Sequence, residues 1–148
     1  MIQRVQTLWM ILAAVAVFLT MKFSFYSGIL ASPNEINTAT TTVLDNGFHF
    51  LRATDNFLIL ILTSALGTGI IINIFLFKHR SIQMRIIIIA IIVECLIVFL
   101  YFRETGHYSQ GNFSFWAILH ILIIIFLVFA AKGIYNDSKL IKESNRLR

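Results

Sequence analysis

The chain reads as an all-α membrane protein: a four-transmembrane-helix bundle with both termini in the cytoplasm and a small extracytoplasmic hairpin or loop between helices 1 and 2. Three observations lead there. Of 148 residues, 58% are hydrophobic and only 13% are charged, against roughly a quarter charged in an ordinary soluble domain. The charge deficit falls in four apolar runs, each long enough to cross about 30 Å of hydrocarbon at 1.5 Å per helical residue. The basic residues between those runs are unevenly distributed. Arg4, Lys78, Arg80, Arg85, Lys132, Lys139, Lys142, Arg146 and Arg148 fall on one side, and Lys22, Arg52 and Arg103 on the other. An excess of Lys and Arg marks the cytoplasmic side.

The first run is Val5 to Met21, interrupted by Lys22 and continued to Leu30, which gives a span over 5–30. A cleavable signal peptide is the competing reading, since Ala31-Ser32 follow. The run is longer than a signal core and Lys22 precedes the small residues, so an uncleaved span is expected. Trp9 is expected at headgroup level, where amphipathic aromatics gather.

Residues 31–55 form the one sizeable link and face outward. Thr38 to Leu44, the turn signal Asp45-Asn46-Gly47, and Phe48 to Thr54 fit a strand, turn and strand. Phe48, Phe50 and Leu51 would hold such a hairpin against the bilayer or a partner. A solvated spacer loop is the alternative.

The second span covers 56–77. Gly67-Thr68-Gly69, with Ser64 and Ala65, reads as a small-residue patch for close helix packing. The short basic link Lys78–Arg85 makes spans two and three an antiparallel pair. The third span covers 84–102 and the fourth 113–134, joined by the short link Arg103–Asn112 with turns at Gly106 and Gly111. Tyr101, Tyr108 and Trp116 are expected at the interface. The tail, 135–148, reads as a short helix or its frayed remnant. Ile134, Leu140, Ile141 and Leu147 would share one face, with Lys139, Lys142 and Arg146 toward water or phosphates.

The net charge of +5 does not point to nucleic acid, because the cations flank membrane ends. Membrane lipid headgroups are the simpler partner. Cys95 is the sole cysteine. This excludes an intramolecular disulfide, thiol–disulfide exchange through a Cys pair and a cysteine-based zinc centre, and Cys95 is expected to be a small buried hydrophobe. No cofactor is expected. A bis-histidine haem needs two membrane histidines, but His49, His79 and His107 lie in links, and no HxxxH, HxxE or GxSxG spacing occurs.

Glu94 is the residue to single out. It falls near the middle of the third span, between Ile91-Ile92-Val93 and Cys95-Leu96. A carboxylate at that depth costs roughly 2.5–3.5 kcal/mol on insertion scales, so it must be protonated, paired or beside water. His120, at a similar depth in the neighbouring fourth span, is its expected partner. Asn73, Thr63, Ser64 and Thr68 on the second span are expected to add hydrogen bonds. Two readings follow: a proton- or cation-linked site, or a polar clasp that sets helix register.

Both ends of the chain also carry a resemblance. Met1-Ile2-Gln3-Arg4-Val5-Gln6-Thr7-Leu8 opens directly into a span. Lys132-Gly133-Ile134, Asp137, Leu140-Ile141-Lys142 and Asn145-Arg146-Leu147-Arg148 close the chain. Together they resemble a domain-of-unknown-function family of small four-span inner-membrane proteins from Bacteroidota-type Gram-negative bacteria. This chain has Asn145 where that family often has Asp, and Tyr135-Asn136 where it often has a basic pair. The resemblance implies a bacterial inner membrane and four spans, and brings no catalytic residue. Gln3, Arg4 and Gln6 are expected to meet Asp137 and Arg146 in a polar cluster on the cytoplasmic face.

Function is then a choice among classes. A non-enzymatic scaffold or accessory subunit, partnered by another membrane protein or a second copy, needs no catalytic constellation. A small proton- or cation-coupled transporter would centre on Glu94. A membrane enzyme on lipid or quinone would need a lateral opening with converging polar groups, which these residues alone do not assemble.

Overall fold

The computed structural model describes residues 2–30, 48–76 and 79–146. Four helices, α1 (Ile2–Lys22), α2 (Phe57–Phe75), α3 (Arg80–Thr105) and α4 (Ile118–Arg146), form the bundle. Three short strands, β1 (Tyr26–Leu30), β2 (Phe48–Leu51) and β3 (Tyr108–Phe113), form an antiparallel sheet in the order β2-β1-β3. All four helices are long and apolar enough to cross a membrane. Each packs on its neighbours in sequence, and α4 closes the ring on α1. This is the up-down-up-down arrangement that short links favour. The termini and the α2–α3 turn lie at one end, the sheet at the other.

The bundle surface identifies its solvent. Phe75, Ile92, Phe99 and Ile121 are each more than half exposed, a continuous apolar exterior that a water-soluble monomer avoids. Inside, α1 presents Ala13, Ala14, Ala16 and Val17. Small residues let helices approach closely where lipid removes the hydrophobic drive between them. Gly67 completes that seam: a Cβ there would stand 3.0 Å from the Phe18 ring and 3.3 Å from Val17. Gly69 has open space around it, so only half of the expected small-residue patch is used.

Helix ends depart from the apolar runs. α1 stops at Lys22, and Tyr26–Leu30, expected to extend the first span, is a strand. Aromatic and β-branched residues suit a pleated surface once two partner strands are available. Phe48–Leu51 pairs with Tyr26–Leu30 through Ser27↔Phe50 and Gly28↔His49, a partner that the hairpin expectation did not name. Thr38–Leu44 and its turn lie outside the described residues. The third strand comes from the link expected to hold only turns. Gly111 sits opposite Gly28 there, and a Cβ at 111 would fall 2.5 Å from the Ser27 carbonyl oxygen. α4 continues unbroken past residue 134 to Arg146, so the tail is an extension of the last span, not a separate interfacial helix.

One single-residue expectation is corrected. Cys95 is exposed, not buried. The buried positions of α3 are Gln83, Ile87, Ala90, Glu94, Ile97 and Tyr101. Their alternating spacing of four and three defines one inward stripe, and residue 95 points about 100° away from Glu94 at 3.6 residues per turn. Trp9 packs its ring against Phe126 and Phe129, with centroids 5.7 and 5.1 Å away, sealing the α1–α4 seam.

Candidate functional site between α3 and α4

Glu94 and His120 meet. His120 Nδ1 lies 2.7 Å from Glu94 Oε1, with the two residues 4% and 1% exposed. The inward stripe of α3 carries the carboxylate, and the third residue of α4 carries the imidazole. This contact between α3 and α4 spans 26 positions of sequence.

Aromatic rings surround the imidazole. Phe25, just before β1, presents its ring edge-to-face to His120 at 5.5 Å and stacks on Tyr101 at 4.4 Å. Tyr101 itself lies 5.2 Å from His120. The backbone holds Phe25 firmly in place: its N–H donates to the Leu51 carbonyl at 2.8 Å, and its carbonyl accepts from Ser114 N–H at 3.0 Å. The sheet thus places an aromatic wedge over the pair. Phe25 was hidden from sequence reasoning because the apolar run absorbed it into the first span.

Beside the pair lies an apolar groove of about 380 Å³, which His120 and Ser114 line together with Phe25, Phe102, Phe113 and Phe115. Phe102, Phe113 and Phe115 are more than half exposed, so the groove opens on the lipid-facing surface. This is the lateral opening that the linear sequence did not reveal.

The second-span residues do not join. Thr63, Ser64 and Thr68 hydroxyls donate to the carbonyls of Ile59, Ile61 and Ser64 within their own helix. Asn73 belongs to the opposite end. Its Nδ2 donates to the Gln83 carbonyl at 3.3 Å, and Gln83 Nε2 donates to the Asn73 carbonyl at 3.3 Å. Both amides also reach Met10 Sδ at 3.8 Å. Eleven residues of α3, about 16 Å of helix rise, separate Gln83 from Glu94. Depth within the second span was the misleading cue: Asn73 is in the last turn of α2.

Of the expected terminal cluster, the side chains of Gln6 and Asp137 are among the described residues. Asp137 pairs with Arg80 at 2.6 Å, which ties α4 to the start of α3. Gln6 is buried beside Gly133, where a Cβ would come within 2.6 Å of Gln6 Cγ. That contact brings the start of α1 and the end of α4 to the same end of the bundle. The Gln3, Arg4 and Arg146 side chains lie outside the described residues. At the sheet end, Asn56 caps α2 by accepting from Leu58 N–H at 3.0 Å and donates to Glu104 at 3.0 Å. Asp55 accepts from Arg52 N–H at 2.7 Å, yet burial lifts its pKa above the usual carboxylate value. Burial and the nearby acids Asp55 and Glu104 push the Tyr108 phenol up to about 12, so it stays protonated and neutral.

Among the described residues, no three His, Cys, Asp or Glu side chains gather at one point. The arrangement instead offers one carboxylate–imidazole pair with an apolar groove at its side.

Four apolar helices around a closed core, with an apolar exterior, define a multi-pass integral membrane protein. The family model for a domain of unknown function, DUF4293, matches residues 2–147, and the chain belongs to that family. No curated protein and no solved structure matches it.

Proposed function

We propose that the protein is a non-enzymatic scaffold or accessory subunit of a membrane complex. In this reading it sits in the inner membrane of a Bacteroidota-type bacterium with both termini in the cytoplasm. The observation that carries it is how the buried polar side chains are spent. Glu94–His120 bridges α3 and α4, Asn73–Gln83 bridges α2 and α3, and Arg80–Asp137 ties α3 to α4 again. Each polar contact locks two helices together, as expected of a rigid body that presents its surface to others. The sidedness rests on the basic residues. Arg4, Arg80, Arg85, Lys132, Lys139, Lys142 and Arg146 belong to the helix segments toward the termini end, against Lys22, Arg52 and Arg103 at the sheet end, and the more basic end is assigned to the cytoplasm.

Affinity purification from native membranes in mild detergent tests the proposal. A stoichiometric partner membrane protein, or a stable homo-oligomer, is the expected result. A monomer after crosslinking in the intact membrane would count against it.

A proton- or cation-coupled transporter centred on Glu94 is the second reading. It is favoured by the position of the buried carboxylate pair beside an opening. It expects Glu94→Gln to abolish a measurable ion flux in proteoliposomes. Glu94→Gln vesicles with unchanged flux would remove it.

A further inference from the structure

We infer that the α3–α4 groove binds a neutral, ring-bearing amphiphile of the prenylquinone class, with a ring carbonyl at His120 and the apolar tail running out between α3 and α4 into the bilayer. This goes beyond the scaffold reading and does not depend on it.

Three features select that chemistry. The groove holds about 380 Å³, within the roughly 300–1,000 Å³ range of small-molecule sites, and has the usual character of apolar walls with very few polar groups. Four phenylalanines, Phe25, Phe102, Phe113 and Phe115, form part of its wall, and aliphatic Val98, Ile118, Ile121 and Ile124 continue it. Ring faces and edges suit a planar conjugated guest better than a flexible acyl chain. The third feature is the imidazole. His120 is 4% exposed and lines the groove, and its Nδ1 is committed to Glu94. Nε2 is the nitrogen left for a guest. An acyl chain would leave it facing hydrocarbon without a partner, which is costly.

The pair also fits both oxidation states of such a ring. With no net charge, the Glu94–His120 pair holds a proton between Oε1 and Nδ1 and keeps the hydrogen on Nε2, which donates to a quinone carbonyl. With one proton fewer, Nδ1–H donates to the carboxylate and bare Nε2 accepts from a quinol hydroxyl. The site would hold either form by switching one hydrogen-bond direction; electron transfer is no part of the inference.

The two tryptophans supply a readout. Trp116 adjoins the groove wall at Phe115 and stacks on Phe23 at 3.7 Å, while Trp9 lies near the other end. In a Trp9→Phe background, Trp116 is the sole indole emitter. The protein is reconstituted in phosphatidylcholine nanodiscs and titrated with a naphthoquinone bearing a short prenyl tail. Saturable quenching is expected. It should weaken at least tenfold in Ile121→Phe, which fills the groove from the lipid side, and in His120→Leu. It should be unchanged in Ile72→Phe, on the exposed face of α2. Ile121→Phe decides the matter if His120→Leu does not fold. Linear, unsaturable quenching of equal slope in every variant would overturn the inference. So would displacement by the ring-free prenyl alcohol at the same concentration, because the groove would then hold a chain and not a ring. Neither result bears on co-purification of a partner, which alone tests the scaffold reading.

Discussion

The two ends of the bundle handle buried polarity differently. At the termini end, Asn73 and Gln83 exchange amide-to-carbonyl bonds across the tight α2–α3 turn, only 10 residues apart. These are neutral, local, reciprocal bonds that close a hairpin. At the sheet end, Glu94 and His120 are ionisable, lie 26 residues apart on α3 and α4 and border a lipid-facing groove. A neutral amide pair is enough to fix register. A carboxylate–imidazole pair costs more to bury and carries a mobile proton. The more expensive arrangement borders the groove, and the inferred binding site centres there.

Breaking that pair should have the largest effect. Glu94→Ala leaves His120 without its partner and is expected to cost about 3 kcal/mol, the low end for disrupting a buried pair. Glu94→Gln keeps a hydrogen bond and should cost clearly less. Thermal unfolding in detergent distinguishes the two, and equal losses would mean that the pair contributes only its volume.

The termini end should respond more weakly and with little coupling. Asn73→Ala and Gln83→Ala are each expected to cost about 1 kcal/mol, in line with interhelical bonds in membranes. Each amide donates to the other residue's backbone carbonyl, so either bond survives loss of the other side chain. The double variant should lose about the sum of the two single losses, and a double-mutant cycle measures this directly. A double variant no worse than either single one would show that the two side chains act as one unit.

The smallest effect concerns Asp55 at the sheet margin. Burial raises its folded-state pKa above 3.8, so the folded protein binds this proton more tightly than the unfolded chain does. Stability from this group is therefore lost as pH rises through the folded value. Asp55→Asn, which can still accept from Arg52 N–H, should match the wild type in acid and gain a slight advantage toward neutral pH. An advantage at low pH only would reverse the assignment.

Much of the architecture was legible in the chain. The four spans follow from apolar runs because lipid forces backbone hydrogen bonds inside the helix. Glu94 stood out because a lone carboxylate in such a run needs a partner, and equal depth on adjacent spans named His120. Asn73 was grouped with that pair by its place in the second span, whereas it lies in the last turn of α2, which ends at Phe75. Cys95 was read from composition alone, whereas the inward stripe of α3 decides its orientation.

The sequence by itself determined the number of crossings, the shared side of the two termini and the Glu94–His120 pair, since each follows from the cost of exposing backbone or charge to hydrocarbon. Only the tertiary structure decided that Tyr26–Leu30 leaves the helix to pair with two strands from different links, that Phe25 thereby covers His120, and that a groove opens beside it. Those features depend on segments more than 20 residues apart, as in the Ser27↔Phe50 and Gly28↔Gly111 pairings. No periodicity within a single run can encode a pairing between runs.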